Sequence, residues 1–180
     1  SKDVMKDTEA RTNETQADST KKLAERLKDI NFWKYELERN ISDMLAETDL
    51  LLEQKKRLEN ALRATEVPLH IATDNLNCRQ RRQNIDLVQD DVELNLLKEV
   101  EVINNVQDLL KKTITEADAQ IKRNRDRKGE LEMDWSDKKE SEEIDAFCAN
   151  LKNGHTCKQF FAGSAKFQEI QSTPESWAQF

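Results

Sequence analysis

The chain has 180 residues and a net charge of −7, and its charged residues are as frequent, at 36%, as its whole hydrophobic set. Such a polar composition excludes a thick hydrophobic core, although narrow apolar stripes along helices can still form. Only three Gly and two Pro are present, so few tight turns are available and sheet-rich folds are disfavoured. The acidic balance argues against a nucleic-acid partner, and the absence of any run of about 18 apolar residues argues against a membrane partner.

The first predicted element is a long helix over residues 1–81, whose polar N-terminal end could continue the helix or fray. From Leu23 onward, apolar residues recur in alternating steps of four and three, which is typical of a helix that buries one seam against a partner helix. Lys34, Thr48 and Lys55 interrupt this seam, and such polar residues can fix register and partner at a cost in stability. The apolar seam residues are Leu23, Leu27, Ile30, Leu37, Ile41, Met44, Leu51, Leu58 and Leu62.

Pro68 and a polar cluster predict how the first helix ends. A residue that precedes proline avoids the α region, so we expect a kink near Val67. Further on, Asp86 with Gln89 three residues later could form a capping box at the start of a second helix. The sequence therefore predicts a short connecting loop at residues 82–86.

The basic cluster of Arg79, Arg81 and Arg82 leads into this loop. Three arginines could contact an acidic partner, since guanidinium groups bind carboxylates well. They could equally form a solvated helix end. The residues alone favour neither interpretation.

A second long helix is predicted over residues 87–152, with its own seam in steps of four and three. Each of the two seams is too narrow to be stable alone, so we expect the helices to fold back on each other around the loop. The predicted fold class is therefore all-α, with long antiparallel coiled-coil helices joined by a short loop. The apolar seam residues taken from the second helix are Leu96, Val100, Ile103, Leu110, Ile114, Ile121, Leu131 and Trp135.

Residues 153–172 differ from the rest because they lack periodicity and hold few charges, two of the three glycines and three phenylalanines. A loop of this length usually has a task. Because exposed Phe side chains are costly, we expect Phe160, Phe161 and Phe167 to contact a partner. A further helix should begin within residues 173–180, where Thr-Pro-Glu combines a cap, a proline and an acid.

Few residues are candidates for metal binding or catalysis. The best metal candidate combines Cys148, His155 and Cys157, but C-x6-H-x-C is not a common zinc spacing, and unligated thiols are the favoured interpretation. No phosphate-binding, dinucleotide, metalloprotease or nucleophile motif occurs. The acidic residues also have no apolar pocket that could raise a pKa. We therefore expect neither an enzyme nor a cofactor nor a metal.

Several phrases resemble one known family. ENALRATEVPLHIATDNLNCRQRR, DLVQDDVE, LLKEVEVI, LEMDWSDKKE, SAKFQE and STPESWAQF are similar to the first half of tektins. The family's signature nonapeptide, RPNVELCRD, belongs to the second half and is absent here, but residues 82–90 resemble it. Four positions match, and they are Arg82, Asn84, Leu87 and Asp90. Position 83 is Gln instead of Pro, position 88 is Val instead of Cys, and position 89 is Gln instead of Arg.

The resemblance implies a structural filament protein of ciliary and flagellar axonemes, inside the A-tubule of the doublet microtubule. It implies tubulin, other tektin molecules of the same or a different paralogue, and other luminal microtubule proteins as partners. The arginine cluster and the signature-like loop are the expected contact residues, namely Arg79, Arg81, Arg82, Asn84, Asp86, Leu87 and Asp90. The alternative is a cytoplasmic coiled-coil scaffold or tether without a microtubule role. Since residue 1 is Ser and residue 180 closely follows a helix start, we also expect an internal fragment of a longer protein.

Overall fold

The computed structural model describes residues 2–153, 155 and 171–177. Nearly all of these residues are helical and none lies in a strand, which confirms the predicted all-α fold class. The chain divides into two units, one of residues 25–145 and one of residues 1–24 with 146–180. The elements are α1 (Lys2–Ala64), α2 (Glu66–Arg79), a 3-10 turn (Asn84–Asp86), α3 (Asp91–Asn150) and α4 (Pro174–Trp177).

Within residues 25–145, α1 and α2 lie antiparallel to α3. Cross-helix contacts join Arg26 to Asp145, Lys34 to Glu142, Thr48 to Asn124, Lys55 to Asp118, and Thr65 to Gln107. Residue numbers rise along α1 while those of the partners fall along α3 at every one of these contacts. One register therefore holds along the whole length of this unit.

The core of this unit is a thin line of side chains between the helices. Ile30 is fully buried, and Leu37, Ala72, Ala117 and Ile121 are nearly so. Burying one isoleucine or leucine side chain contributes about 1.5–3 kcal/mol, and an alanine contributes less. Because the buried residues are few and spaced along the helices, stability is distributed along the pair rather than concentrated in one cluster.

The interruption between α1 and α2 lies at Thr65, two residues before the kink expected near Val67. The physical reason is the proline ring itself, which has no N–H for the carbonyl of Ala64 and crowds that carbonyl four residues back. Val67, which precedes Pro68, stays helical because both residues lie in the first turn of α2, where proline is tolerated. The helix is therefore re-initiated at once, without a loop.

The connection between α2 and α3 spans residues 80–90, which is longer than the predicted 82–86. α3 begins at Asp91 rather than at 87, because the capping residue is Asp90 and not Asp86. The backbone N–H of Glu93 donates to Asp90 Oδ1 at 3.0 Å. Asp-x-x-Glu at 90–93 is therefore the capping sequence, four residues later than the predicted Asp86–Gln89.

The second unit is held by polar contacts near the C-terminal end of α3, which stops at Asn150 rather than at 152. Gln16 Nε2 donates to the carbonyl of Leu151 at 2.9 Å, and the backbone N–H of Asn153 donates to Gln16 Oε1 at 3.2 Å. The Asn153 side chain donates to Asn13 Oδ1 at 2.9 Å. These bonds occupy polar groups that the end of α3 would otherwise leave to solvent.

The predicted helix after residue 172 is present as α4, a single turn. Thr173 and Ser176 cap it reciprocally, since each backbone N–H donates to the other residue's hydroxyl, at 2.9 and 3.3 Å. This is the geometry of a capping box with serine in the acceptor role usually taken by glutamate.

Candidate functional site

The connecting loop is the most distinctive local structure in the residue 25–145 unit. After Arg79, the backbone N–H groups of Arg81 and Arg82 donate to the carbonyls of Cys78 and Arg79, which tightens the helix end into turns. Asn84 follows with a positive φ of 53°, the only such non-glycine residue among those described. Asparagine tolerates this left-handed conformation better than most residues, which explains an Asn at this point of the loop.

Arg79 and Asp90 close the loop at its base. The guanidinium Nη2 donates to Asp90 Oδ1, which also accepts the N–H of Glu93. The hydrogen bond from Arg79 lowers the pKa of Asp90 most, and the one from the N–H of Glu93 lowers it further, so this pKa lies below its ordinary value. The Arg79 side chain is only 15% exposed, so this charge faces the hairpin and not an outside partner.

The other loop residues proposed as contacts are exposed. Arg81, Arg82, Asn84, Asp86 and Leu87 all face solvent in this chain. Three apolar side chains are exposed with them, and they are Ile85, Leu87 and Val88, with Ile85 at 90%. The loop therefore presents apolar side chains beside two arginines, a combination suited to binding another protein. Sequence reasoning missed Ile85 and Val88 as candidates, although both lie within the signature-like string.

All seam positions chosen from the heptad steps are buried or half-buried, the polar interruptions included. The same spacing continues beyond Leu62 through Thr65, Leu69, Ala72 and Leu76, so the proline does not end the seam. Sequence reasoning stopped at Leu62 because a break was expected. The uninterrupted 3-4 spacing was the signal that could have extended it.

A second apolar stripe lies outside the seam. Val102, Val106 and Leu109 follow each other at i, i+4 and i+7 on α3, and all three are exposed. Val67 and Ile71 form an exposed pair at i and i+4 on α2. Thr65, close to Val67, is hydrogen-bonded to Gln107, the neighbour of Val106. The two exposed groups therefore lie at the same height along the helix pair. Exposed apolar groups of this kind mark contact surfaces more often than isolated surface residues do.

The residues named as metal candidates are not brought together in the part of the chain that the structure describes. No group of three His, Cys, Asp or Glu side chains among them could hold a metal ion. Cys78 and Cys148 are exposed free thiols, and His155 is exposed. The third member of the candidate metal set, Cys157, lies outside the described residues. None of the described helices is both long enough and apolar enough to cross a membrane.

The three phenylalanines of the aperiodic segment, Phe160, Phe161 and Phe167, also lie outside the described residues. Their expected role as partner contacts therefore rests on the sequence alone.

Comparison with known proteins identifies the family. The sequence model of the tektin family matches residues 1–180. The chain is 56% identical to Tektin-4 of Xenopus laevis over 180 residues, which is all of this chain and 40% of that protein. It is 52% identical to Tektin-4 of Mus musculus over 98% of this chain and 40% of that protein, and 55% identical to Tektin-4 of Bos taurus over 92% and 37%. The chain therefore spans about 40% of the length of these relatives. Because the family match extends from the first residue to the last, the chain belongs to the tektin family.

Proposed function

We propose that this chain is a segment of a filament subunit that binds inside the A-tubule of ciliary or flagellar doublet microtubules, stabilises them, and so supports motility. The observation that carries the proposal is the family match over all 180 residues. Membership in the tektin family implies a structural, cytoskeletal protein of the cilium or flagellum axoneme. The lumenal position, the binding of doublet tubulin and the mechanical role go beyond family membership and belong to the proposal.

The structure of residues 25–145 supports a mechanical role. A continuous seam buries side chains along the helix pair. Ionic or polar contacts between the helices recur along it, from the Arg26–Asp145 pair to the Thr65–Gln107 pair. Stability that is distributed in this way suits a subunit that must resist bending at every point along its length.

We infer that contacts to partners are made by the loop at residues 80–90 and by the phenylalanines at 160, 161 and 167. The partners are tubulin, other tektin molecules and other lumenal proteins. The exposure of Ile85 and Leu87 supports the loop as a contact, because such apolar groups gain most from being covered. Arg81 and Arg82 would add attraction to an acidic surface. Arg79 and Asp90 serve the contact indirectly by holding the loop closed.

The experiment expresses the tagged full-length protein in ciliated cells and follows it through axoneme fractionation. We expect it to remain with the doublets after detergent removes the membrane and the soluble matrix. Leu37→Glu, which buries an unpaired charge in the seam, should abolish this retention. Glu130→Gln, at an exposed position, should be retained like the native protein. Release of the native protein with the soluble fraction would favour a cytoplasmic coiled-coil scaffold instead.

A further inference from the structure

The polar residues that interrupt the seam of α1 are each matched by a polar residue of α3. The Lys34 ammonium binds the Glu142 carboxylate, and the Lys55 ammonium binds Asp118 at 2.6 Å. Asn124 Nδ2 donates to Thr48 Oγ1 at 3.4 Å. None of the three interruptions of α1 faces an apolar side chain alone.

A fourth pair lies where α1 ends. Gln107 Nε2 donates to Thr65 Oγ1 at 2.9 Å, and that hydroxyl donates in turn to the carbonyl of Leu62 at 2.6 Å. Gln107 is only 9% exposed, and Thr48 in its own pair is 8% exposed. A buried amide that lost its partner would bear its full desolvation cost, so this hydrogen bond discriminates between arrangements more than it stabilises any one of them.

We propose that these four pairs select one antiparallel register of the hairpin and exclude parallel, in-register pairing of α1 with a second copy of the chain. In a parallel, in-register pairing of two copies, Lys34 would lie against its own equivalent, and so would Lys55. Both are mostly covered in the seam and would then face like charge without a carboxylate. The inference concerns which helix α1 binds, and it does not depend on the proposed ciliary role.

The charged pair at Lys55 also discriminates against sliding of the hairpin. If α3 moved by one heptad, Lys55 would face either Arg125 or Lys111 in place of Asp118. Basic residues therefore lie one heptad away on both sides of the aspartate. A slip in either direction replaces an attractive contact with a repulsive one.

The neutral hydrogen-bonded pairs also disfavour sliding of the hairpin by one heptad. One heptad away in either direction from Thr65, the residue facing Gln107 would be Leu58 or Ala72. The amide would then be buried against apolar side chains without an acceptor on the partner helix. Apolar seam residues alone would tolerate the slip, because one aliphatic residue substitutes for another with little penalty. The polar pairs are therefore the register-determining residues.

The test measures register in the full chain with its three native cysteines replaced by Ser and spin labels attached at Asp49→Cys and Ala119→Cys, both exposed. The native seam should give one narrow distance distribution and a monomer in sedimentation. The combined variant Lys34→Leu, Thr48→Leu, Lys55→Leu and Gln107→Leu should stay helical but give a broad or multiple distribution. Populations displaced by one heptad would lie about 10 Å apart along the axis.

Exchanging the charges of Lys55 and Asp118 distinguishes a role in setting the register from a general contribution to stability. Lys55→Asp alone should broaden the distance distribution, and adding Asp118→Lys should restore the single narrow peak. Formation of dimers by the leucine variant would also support the inference, since it would show that self-pairing had been excluded by the polar residues. A leucine variant that remains monomeric with the native distance distribution would overturn it, as would failure of the charge exchange to restore the peak.

Discussion

Arg79, at the end of α2, and Asp90, immediately before α3, form an ion pair that closes the base of the connecting loop. The same carboxylate caps α3 through the backbone N–H of Glu93. One side chain therefore both ends the loop and begins the helix. Asp90 is among the four residues that match the tektin signature nonapeptide, and the geometry gives that match a structural reason in this chain.

The first prediction concerns the pH dependence of this pair. Because folding lowers the pKa of Asp90, its contribution to stability is complete above the unfolded value, about 3.9, and is lost as the pH falls through the lower folded value. Asp90→Asn keeps a capping oxygen but removes the charge. Its Tm should therefore fall less steeply than that of the native chain between pH 5 and pH 2.

The matched control is Asp86→Asn, which removes an exposed carboxylate from the same loop. Thermal unfolding followed by circular dichroism gives Tm at each pH for all three chains. Parallel curves for Asp90→Asn and the native chain would show that the ion pair does not support the hairpin.

The second prediction uses the backbone of Asn84. Its positive φ is accessible to glycine without strain, whereas a β-branched residue is strongly disfavoured there. Asn84→Gly should be nearly neutral, and Asn84→Val should lower the free energy of unfolding by about 1–2 kcal/mol. Urea unfolding of both variants tests this, and equal stabilities would contradict a left-handed residue 84.

The third prediction compares two aliphatic residues of α1. Ile30 is fully buried, and Leu50 is 56% exposed on the same helix. Ile30→Ala should lower the free energy of unfolding by about 2–5 kcal/mol, because it removes buried methyl groups and leaves a cavity. Leu50→Ala should change it by no more than about 0.5 kcal/mol. Urea unfolding measures both, and similar losses would contradict the assigned seam.

The fourth prediction concerns the loop as a contact surface. The double variant Ile85→Ser and Leu87→Ser should leave helical circular dichroism unchanged, because both side chains are exposed in the isolated chain. Retention of the full-length variant in axonemes should nevertheless fall severalfold. Met133→Ser, an equally exposed apolar position on α3, is the control and should be retained. Native retention of the loop variant would show that the loop makes no essential contact.

The lysine pairing adds a fifth prediction, at high pH. The hydrogen bond that Lys55 donates to Asp118, together with the negative charge of that carboxylate, raises the pKa of Lys55. The pair's contribution to stability is therefore complete below the unfolded value and is lost as the pH rises through the higher folded value. Lys55→Leu should remove this loss from the Tm curve above about pH 10. A curve unchanged in slope would contradict the role assigned to the Lys55–Asp118 pair.

The all-α fold class could be predicted because periodicity is a local property, read directly from the spacing of apolar residues such as Leu23, Leu27 and Ile30. The residues where elements begin and end were harder to predict. Asp86 and Asp90 both begin plausible capping sequences, and only the contact with Arg79 decides between them. The break at Thr65 likewise depends on where the ring of Pro68 crowds the backbone.

The partners of the polar seam residues could not be predicted from the sequence either. Lys34, Thr48 and Lys55 could be recognised as interruptions from the sequence, but their partners could not be named before the register was known. Gln107 has an acceptor only because α3 returns with Thr65 at its level. Long-range pairing depends on the whole hairpin, and no local pattern contains that information.

A density map of ciliary or flagellar doublet microtubules that contain the full-length protein is the most direct test of the proposed function. We expect an antiparallel helical hairpin inside the A-tubule, with Gln107 beside Thr65 and the loop at residues 80–90 in contact with a neighbouring protein. Absence of the chain from the A-tubule lumen would contradict the proposed function. Density in which α1 pairs along its length with α1 of a second copy would contradict the antiparallel hairpin.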